Sequence, residues 1–250
     1  MRMHAVAETR DLVREAREDL AVAYRLAARF RLDDTIWNHF TLRLPGRAQN
    51  FLVKPHGLLF TEVTPGNLIV VDTEGRTVEG RGIAERTAVC IHAEIHRTIE
   101  RAACVLHVHP PYSTWLAMID GGRLLPVNQD SLRFYNRVSY DDRYNGIALD
   151  HAEGRRIADH FDRNNVLLLA NHGVIVVGPT VAEAFYNLYY FELSCEQQYR
   201  IACSGRAPRL VAPDIAESTA REFDADKDGP VAFLAAMKRL LAAEAADRTR

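Results

Sequence analysis

The chain has 250 residues, nearly half of them hydrophobic, and its acidic and basic side chains almost cancel to a formal net charge of −2. That balance leaves no electrostatic footprint for nucleic acid or an anionic membrane, so neither is expected as a partner. No apolar run is long enough to cross a bilayer and the charged amino terminus lacks a signal-peptide core, which predicts a cytoplasmic protein. With no Ser/Gly linker and no block of like charge, a single domain over 1–250 is expected. Cys90, Cys104, Cys195 and Cys203 form no CxxC pair and read as reduced structural thiols.

Over 9–30, Leu12, Val13, Ala16, Leu20, Ala23, Leu26 and Ala27 recur at helical spacing, predicting an amphipathic helix that Asp33-Asp34 closes. Residues 36–44 alternate as a strand up to the turn at Pro45-Gly46, and within them Asn38 and His39 are candidates for substrate contact. A short strand at 51–54 leads into Pro55-His56-Gly57, a loop whose glycine lets a ligand approach the backbone. A buried strand at 67–72 turns at Glu74-Gly75 into a return strand at 77–78. The second helix, 85–101, sets Ala88, Ile91, Ile95 and Ile99 on its buried side, with Glu85 in the first turn favouring the macrodipole. His92 and His96 lie one turn apart on it, but Ala93 stands where an HExxH site needs its glutamate. His92 is expected beside the substrate or behind the site, and His96 at the surface.

The next stretch, Val105-Leu106-His107-Val108-His109-Pro110-Pro111, organises the rest. Residues i and i+2 of a strand share a face, so the two imidazoles can reach one metal ion, and the prolines end the strand and leave both rings at its carboxyl rim. A helix at 113–119 ends at Gly121-Gly122. Residues 124–140 are less regular and offer Gln129, Arg133, Tyr135 and Tyr140 as polar tips. A helix at 151–161 leads to two apolar strands around Asn171-His172-Gly173, a tight turn in which Gly173 supplies the permissive backbone. His172 is the best third ligand, since a catalytic metal site has three protein ligands and one open position. A long helix at 180–202 follows, capped by Thr180, whose Tyr186, Tyr189, Tyr190 and Tyr199 are expected in core or oligomer contacts. Residues 208–228 read as a charged loop and 230–243 as a last helix, with a frayed end.

These motifs carry a resemblance. His107-Val108-His109 after a helix, Gly146-Ile147-Ala148 before another, and Asn171-His172-Gly173 followed by the run from Gly178 to Phe185 are together similar to the class II aldolase/adducin family, over roughly 9–204. Residues 205–250 are then a C-terminal extension with a helix. The resemblance implies a three-layer α/β/α sandwich with a central, mainly antiparallel sheet. It implies one divalent ion per chain on His107, His109 and His172, as Zn2+ or Mn2+, with Fe2+ or Co2+ as further options. It also implies a homotetramer with active sites at subunit interfaces.

The departures guide the reaction. Sugar-phosphate aldolases of the family carry an acidic residue four positions before the one matching His92, where this chain has Ala88, and bulky Trp37 and His56 stand where room for phosphate is expected. Three neutral imidazoles leave the ion's charge in place to stabilise an enolate. Loss of carbon dioxide forms that enolate without a base, whereas aldol chemistry needs one. The expectation is therefore a metal-dependent carbon–carbon lyase that decarboxylates a hydroxylated aromatic or heteroaromatic carboxylate. Arg86, Lys54, His56 and His92 are candidates for its carboxylate clamp, Asn38 and Gly57 for further substrate contacts, and Tyr135 for the proton donor. The alternatives are an aldolase for a non-phosphorylated hydroxy-carbonyl substrate with Glu85 as base, and a non-enzymatic adducin-like interaction module, against which the intact three-histidine set argues.

Overall fold

The computed structural model describes residues 2–247. The chain end expected to fray reaches beyond them. Two compact units emerge: residues up to Val108 with Asn145–Asp159 and Val177–Val181, and His109–Tyr144 with His160–Val176 and the chain from Ala182 onward. The fold is α/β with a mixed eight-stranded sheet.

In the first unit, α1 (Arg2–Arg29) is the expected amphipathic helix, begun earlier than its apolar spacing suggests. Leu20, Ala23, Tyr24, Leu26 and Ala27 form its buried stripe, while Leu12 lies exposed. Tyr24 ties it to β1 (His39–Leu44). The phenol donates to the Phe40 carbonyl at 2.6 Å and accepts from the Phe40 N–H at 2.8 Å, and its ring stacks on Phe40 at 4.9 Å. A buried hydroxyl is retained cheaply only when paired in this way. Between these elements Arg31, Thr35 and Asn38 all have positive φ, which delays the strand by three residues relative to the pattern. For β-branched Thr35 (φ 54) that conformation is a genuine outlier.

The strands β1, β2 (Arg47–Val53), β3 (Ile69–Asp72) and β4 (Thr77–Glu79) form an antiparallel meander. β1 also pairs antiparallel with β5 (Cys104–Val108), placing His39 opposite His107 and Thr41 opposite Val105. Helix α2 (Arg86–Thr98) is buried from Ala88 through His96, far more than one face. His96, expected at the surface, is therefore in the core: β1 presents polar Thr41 to it, so the imidazole is hydrogen-bonded without water. Helix α5 (His151–Asp159) lies so close to α2 that a Cβ on Gly154 would stand 1.9 Å from the Cys90 carbonyl oxygen. Glu94 of α2, also buried, receives Arg97, Arg155 and His151.

In the second unit, α3 (Pro111–Ala117) and the short α4 (Gln129–Leu132) precede β6 (Val138–Asp141), which runs parallel to β7 (Val166–Leu169). β7 pairs antiparallel with β8 (Gly173–Gly178), and α6 (Val181–Cys203) follows. The stretch read as a charged loop is instead α7 (Pro213–Ala225), after which α8 (Asp228–Asp247) closes the described chain. Pro213 at the first helical position and buried Ala216 and Ala220, one turn apart, specify α7. Alanines give so small an apolar signal that the surrounding charges conceal it. Cys90, Cys104 and Cys195 are buried free thiols, and Cys203 is an exposed one.

Candidate metal centre

The strand β5 stops at Val108, and Pro110 caps α3 with Pro111 in its first turn, so the chain turns away just after His109. His107 is buried and His109 half-buried. The carboxylate of Glu192, 6% exposed, accepts the Tyr112 N–H at 2.7 Å and the Ser113 N–H at 2.8 Å. These are orphan donors of the first turn of α3, so Glu192 fixes the exit of the histidine segment. Burial pushes its pKa up, while the two N–H groups oppose that shift.

His172 sits in the turn between β7 and β8, its N–H bonded to the Leu169 carbonyl at 3.1 Å. The residue in left-handed conformation is Asn171, at φ 56, and not Gly173, which opens β8 opposite Leu169. Asparagine tolerates that conformation better than other side chains, and the Asn171 N–H is further held by the Ala117 carbonyl at 2.9 Å.

One ring nitrogen from each of His107, His109 and His172 lies within 4.8 Å of the others. The His109 and His172 rings are 4.7 Å apart between centroids. Three imidazole donors, with no competing thiolate or carboxylate in the set, fit a borderline divalent ion such as zinc, whose catalytic sites use this ligand number and leave a position open.

Behind His107, at 5.2 Å between ring centroids, lies His39, the first member of a buried chain of hydrogen bonds. The Ala102 carbonyl can only accept, so His96 Nδ1 donates to it (2.8 Å) and His96 Nε2 accepts from the Thr41 hydroxyl (2.8 Å). The Thr41 oxygen then accepts from His92 Nδ1 (2.7 Å), which leaves His92 Nε2 to accept from His39 Nδ1 (2.9 Å). Both helical histidines are thereby fixed as neutral Nδ1–H tautomers. Burial agrees, holding His92 well below the usual imidazole range and His96 at about 4. The other His39 nitrogen, Nε2, lies 3.1 Å from the Thr87 hydroxyl and 3.7 Å from the Glu85 carboxylate.

Each of the remaining candidates has its own local setting. Glu85 is the N-cap of α2, one position before the first turn, and its carboxylate accepts from the Ala88 N–H and the Thr87 hydroxyl. Both ring nitrogens of His92 are engaged. Lys54 is buried and donates to the Ile36 carbonyl at 2.7 Å, with burial lowering its pKa to about 8. Asn38 is buried at φ 65, and exposed Trp37 packs on exposed His56 at 5.6 Å between rings, beside Gly57 at φ 91. Arg86 is exposed and donates to the Leu149 carbonyl. In the second unit, half-buried Tyr135 lies in the turn after α4, where Arg137 donates to its carbonyl. Thr41 and Thr87 are the members that residue type did not flag. Spacing could have found Thr41: 39 and 41 share a face of β1, as 92 and 96 share a face of α2.

Residues 18–199 match the family described as Class II Aldolase and Adducin N-terminal domain. An aldolase II superfamily protein from Pseudomonas syringae has a solved structure with a TM-score of 0.87 at 33% identity, covering 93% of this chain and 94% of that one. Alpha-adducin of Rattus norvegicus is 34% identical over 194 residues, 76% of this chain and 26% of that longer protein. Decarboxylase NovR of Streptomyces niveus is 31% identical over 205 residues, 81% of this chain and 75% of that protein. The fold is that of the class II aldolase superfamily, and the chain belongs to the class II aldolase and adducin family.

Proposed function

We propose that the protein is a metal-dependent carbon–carbon lyase that decarboxylates a hydroxylated aromatic or heteroaromatic carboxylate. The observation that carries this reading is the convergence of the His107, His109 and His172 ring nitrogens. A divalent ion held there supplies positive charge for the electron pair left on the substrate when the carbon–carbon bond breaks. His39 and His92 do not bind it in this reading. His39 orients His107 from behind, and His92, fixed by Thr41, orients His39.

Decarboxylation is favoured over aldol cleavage because α2 presents methyl-bearing Ala88, fully buried, where a sugar-phosphate aldolase carries its acid. Glu85 is committed as a cap, and its carboxylate oxygen already accepts two hydrogen bonds. Trp37 and His56 form an aromatic wall suited to a flat ring, with Arg86, Asn38 and the Gly57 backbone as further contacts. Tyr135, expected as the proton donor, precedes β6 at the strand end opposite the one His172 follows, so it takes no part in this reading. The name of the relative Decarboxylase NovR is in keeping with this choice. The second reading, aldol cleavage of an unphosphorylated hydroxy-carbonyl substrate, rests on the 3.7 Å approach of Glu85 to His39, which would let the pair act as a base.

The test is metal content by mass spectrometry on wild type beside His109→Ala, followed by carbon dioxide release from a panel of ortho-hydroxy carboxylates. About one divalent ion per chain, lost in the variant, with release only in the loaded wild type, is the expected result. Metal without release from any of these acids, but turnover of an aldol substrate that Glu85→Gln abolishes, would install the aldolase reading. No bound metal after zinc or manganese addition would sink both and leave an adducin-like interaction module.

A further inference from the structure

In the second unit a pocket of about 900 Å³ opens where β6 and β7 begin, lined by Val138 and Val166 at the strand starts. The metal-candidate His172 lies beyond the other end of β7, about 10 Å of strand away at an extended rise. The pocket is therefore separate from the metal centre.

Its lining is strongly polar and biased in charge. The lining carries Arg133, Arg137, Arg163 and Arg221 beside two carboxylates, Glu217 and Asp224, with Asp130 of α4 3.8 Å from Arg133. Arg137 consumes both: it donates to Asp224 at 2.8 Å and through two nitrogens to Glu217 at 3.2 Å. Exposed Arg163 has no ion pair among the described residues, and Arg221 comes no nearer than 3.9 Å to the already engaged Glu217. Arg133 is held rigidly, its guanidinium 3.8 Å from the Phe223 centroid and 4.2 Å from that of Tyr190, and hydrogen-bonded to the Tyr186 hydroxyl. It is only 14% exposed, yet its nearest carboxylate, Asp130, stands 3.8 Å away. A desolvated guanidinium without a hydrogen-bonded counter-ion is costly unless an anion completes it. Asn136, Asn165 and Asn187 add neutral amides to the wall, which offer both donors and acceptors.

We infer that this pocket binds a small organic phosphate with a hydroxylated body. Arg163 and Arg221 clamp the phosphate, Arg133 supplies fixed positive charge behind it, and the asparagines pair with the hydroxyls. Guanidinium forks match phosphate oxygens in pairs, and the volume suits a whole metabolite better than a bare ion.

Isothermal titration calorimetry on the full-length protein tests this with ribose 5-phosphate and adenosine 5′-monophosphate as probes, and ribose and inorganic phosphate as controls. Saturable binding of at least one probe is expected, retained in His109→Ala and weakened about tenfold or more in the double variant Arg163→Gln/Arg221→Gln. Both arginines are exposed, so that variant folds as wild type does, which circular dichroism verifies. Ribose binds neither form. The assignment is overturned if neither probe gives saturable heat, if the arginine variant binds undiminished, or if His109→Ala alone abolishes the signal, which would move the phosphate to the metal centre. Inorganic phosphate binding as tightly as both probes would likewise overturn an organic ligand.

Discussion

Thr41 has one proton to give and stands between two imidazoles that demand opposite roles of it. It donates to His96 and accepts from His92, so a single hydroxyl sets the tautomer of both rings. Thr41→Val keeps the shape and strands two buried nitrogens, which should lower the unfolding free energy by about 2–4 kcal/mol, read by urea denaturation. A change below about 0.5 kcal/mol, the level of an ordinary surface substitution, would mean that water replaces the hydroxyl. His96 gives a pH signature. Its pKa is about 4 in the folded protein, against an ordinary value near 6.5, so the unfolded chain binds the extra proton first. Stability is therefore complete above about pH 6.5 and falls as the pH drops from there toward about 4. Denaturation midpoints measured across that window should decline with acid, and less steeply in His96→Gln. A flat profile would place water, rather than Thr41 and the Ala102 carbonyl, around the ring.

At the scale of elements, two close fits position the histidine segment and the helix behind it. Glu192 reaches from α6 to the first turn of α3 and holds two N–H groups immediately after His109-Pro110. In Glu192→Ala that turn loses its anchor, and metal affinity should fall about tenfold while the helix content of the protein persists. Competition with a fluorescent chelator reads the affinity, and Glu192→Gln, which keeps one acceptor, should recover part of it. Unchanged affinity in the alanine variant would show that the prolines alone aim His109. The packing of α5 on α2 depends on Gly154, where any Cβ would collide with the Cys90 carbonyl. Gly154→Ala should cost about 3 kcal/mol despite the better helix propensity of alanine, since backbone has no rotamer with which to give way. A gain in thermal midpoint for that variant would contradict the contact.

For the whole molecule, the three histidines proposed as ligands come from two stretches distant in sequence, and an unfolded chain does not hold them together. Metal binding by them would be native-state stabilisation: free zinc at about a hundred times its dissociation constant should add about 2.7 kcal/mol. Differential scanning calorimetry should show the midpoint rising with zinc in wild type and not in His109→Ala. An equal rise in both would place the ion elsewhere.

The histidine pair, its proline stop and the family were all legible in the sequence, and so was the third histidine of the cluster, because strand periodicity and proline chemistry act over a few residues. So were α1 and the β3–β4 hairpin. Only tertiary structure decided the rest. His96 is in the core because β1 supplies a hydroxyl opposite it, and Asn171 rather than Gly173 takes the strained turn position because the Ala117 carbonyl and the β7–β8 register hold it there. Helix α7 was hidden because its buried face is two alanines, and the arginine pocket because it gathers side chains from separate segments. The sequence alone determined which chemistry the chain can hold, since that depends on residue type and local spacing. Which groups are buried, paired or left with unspent charge depends on what packs against them, and only the folded chain decides it.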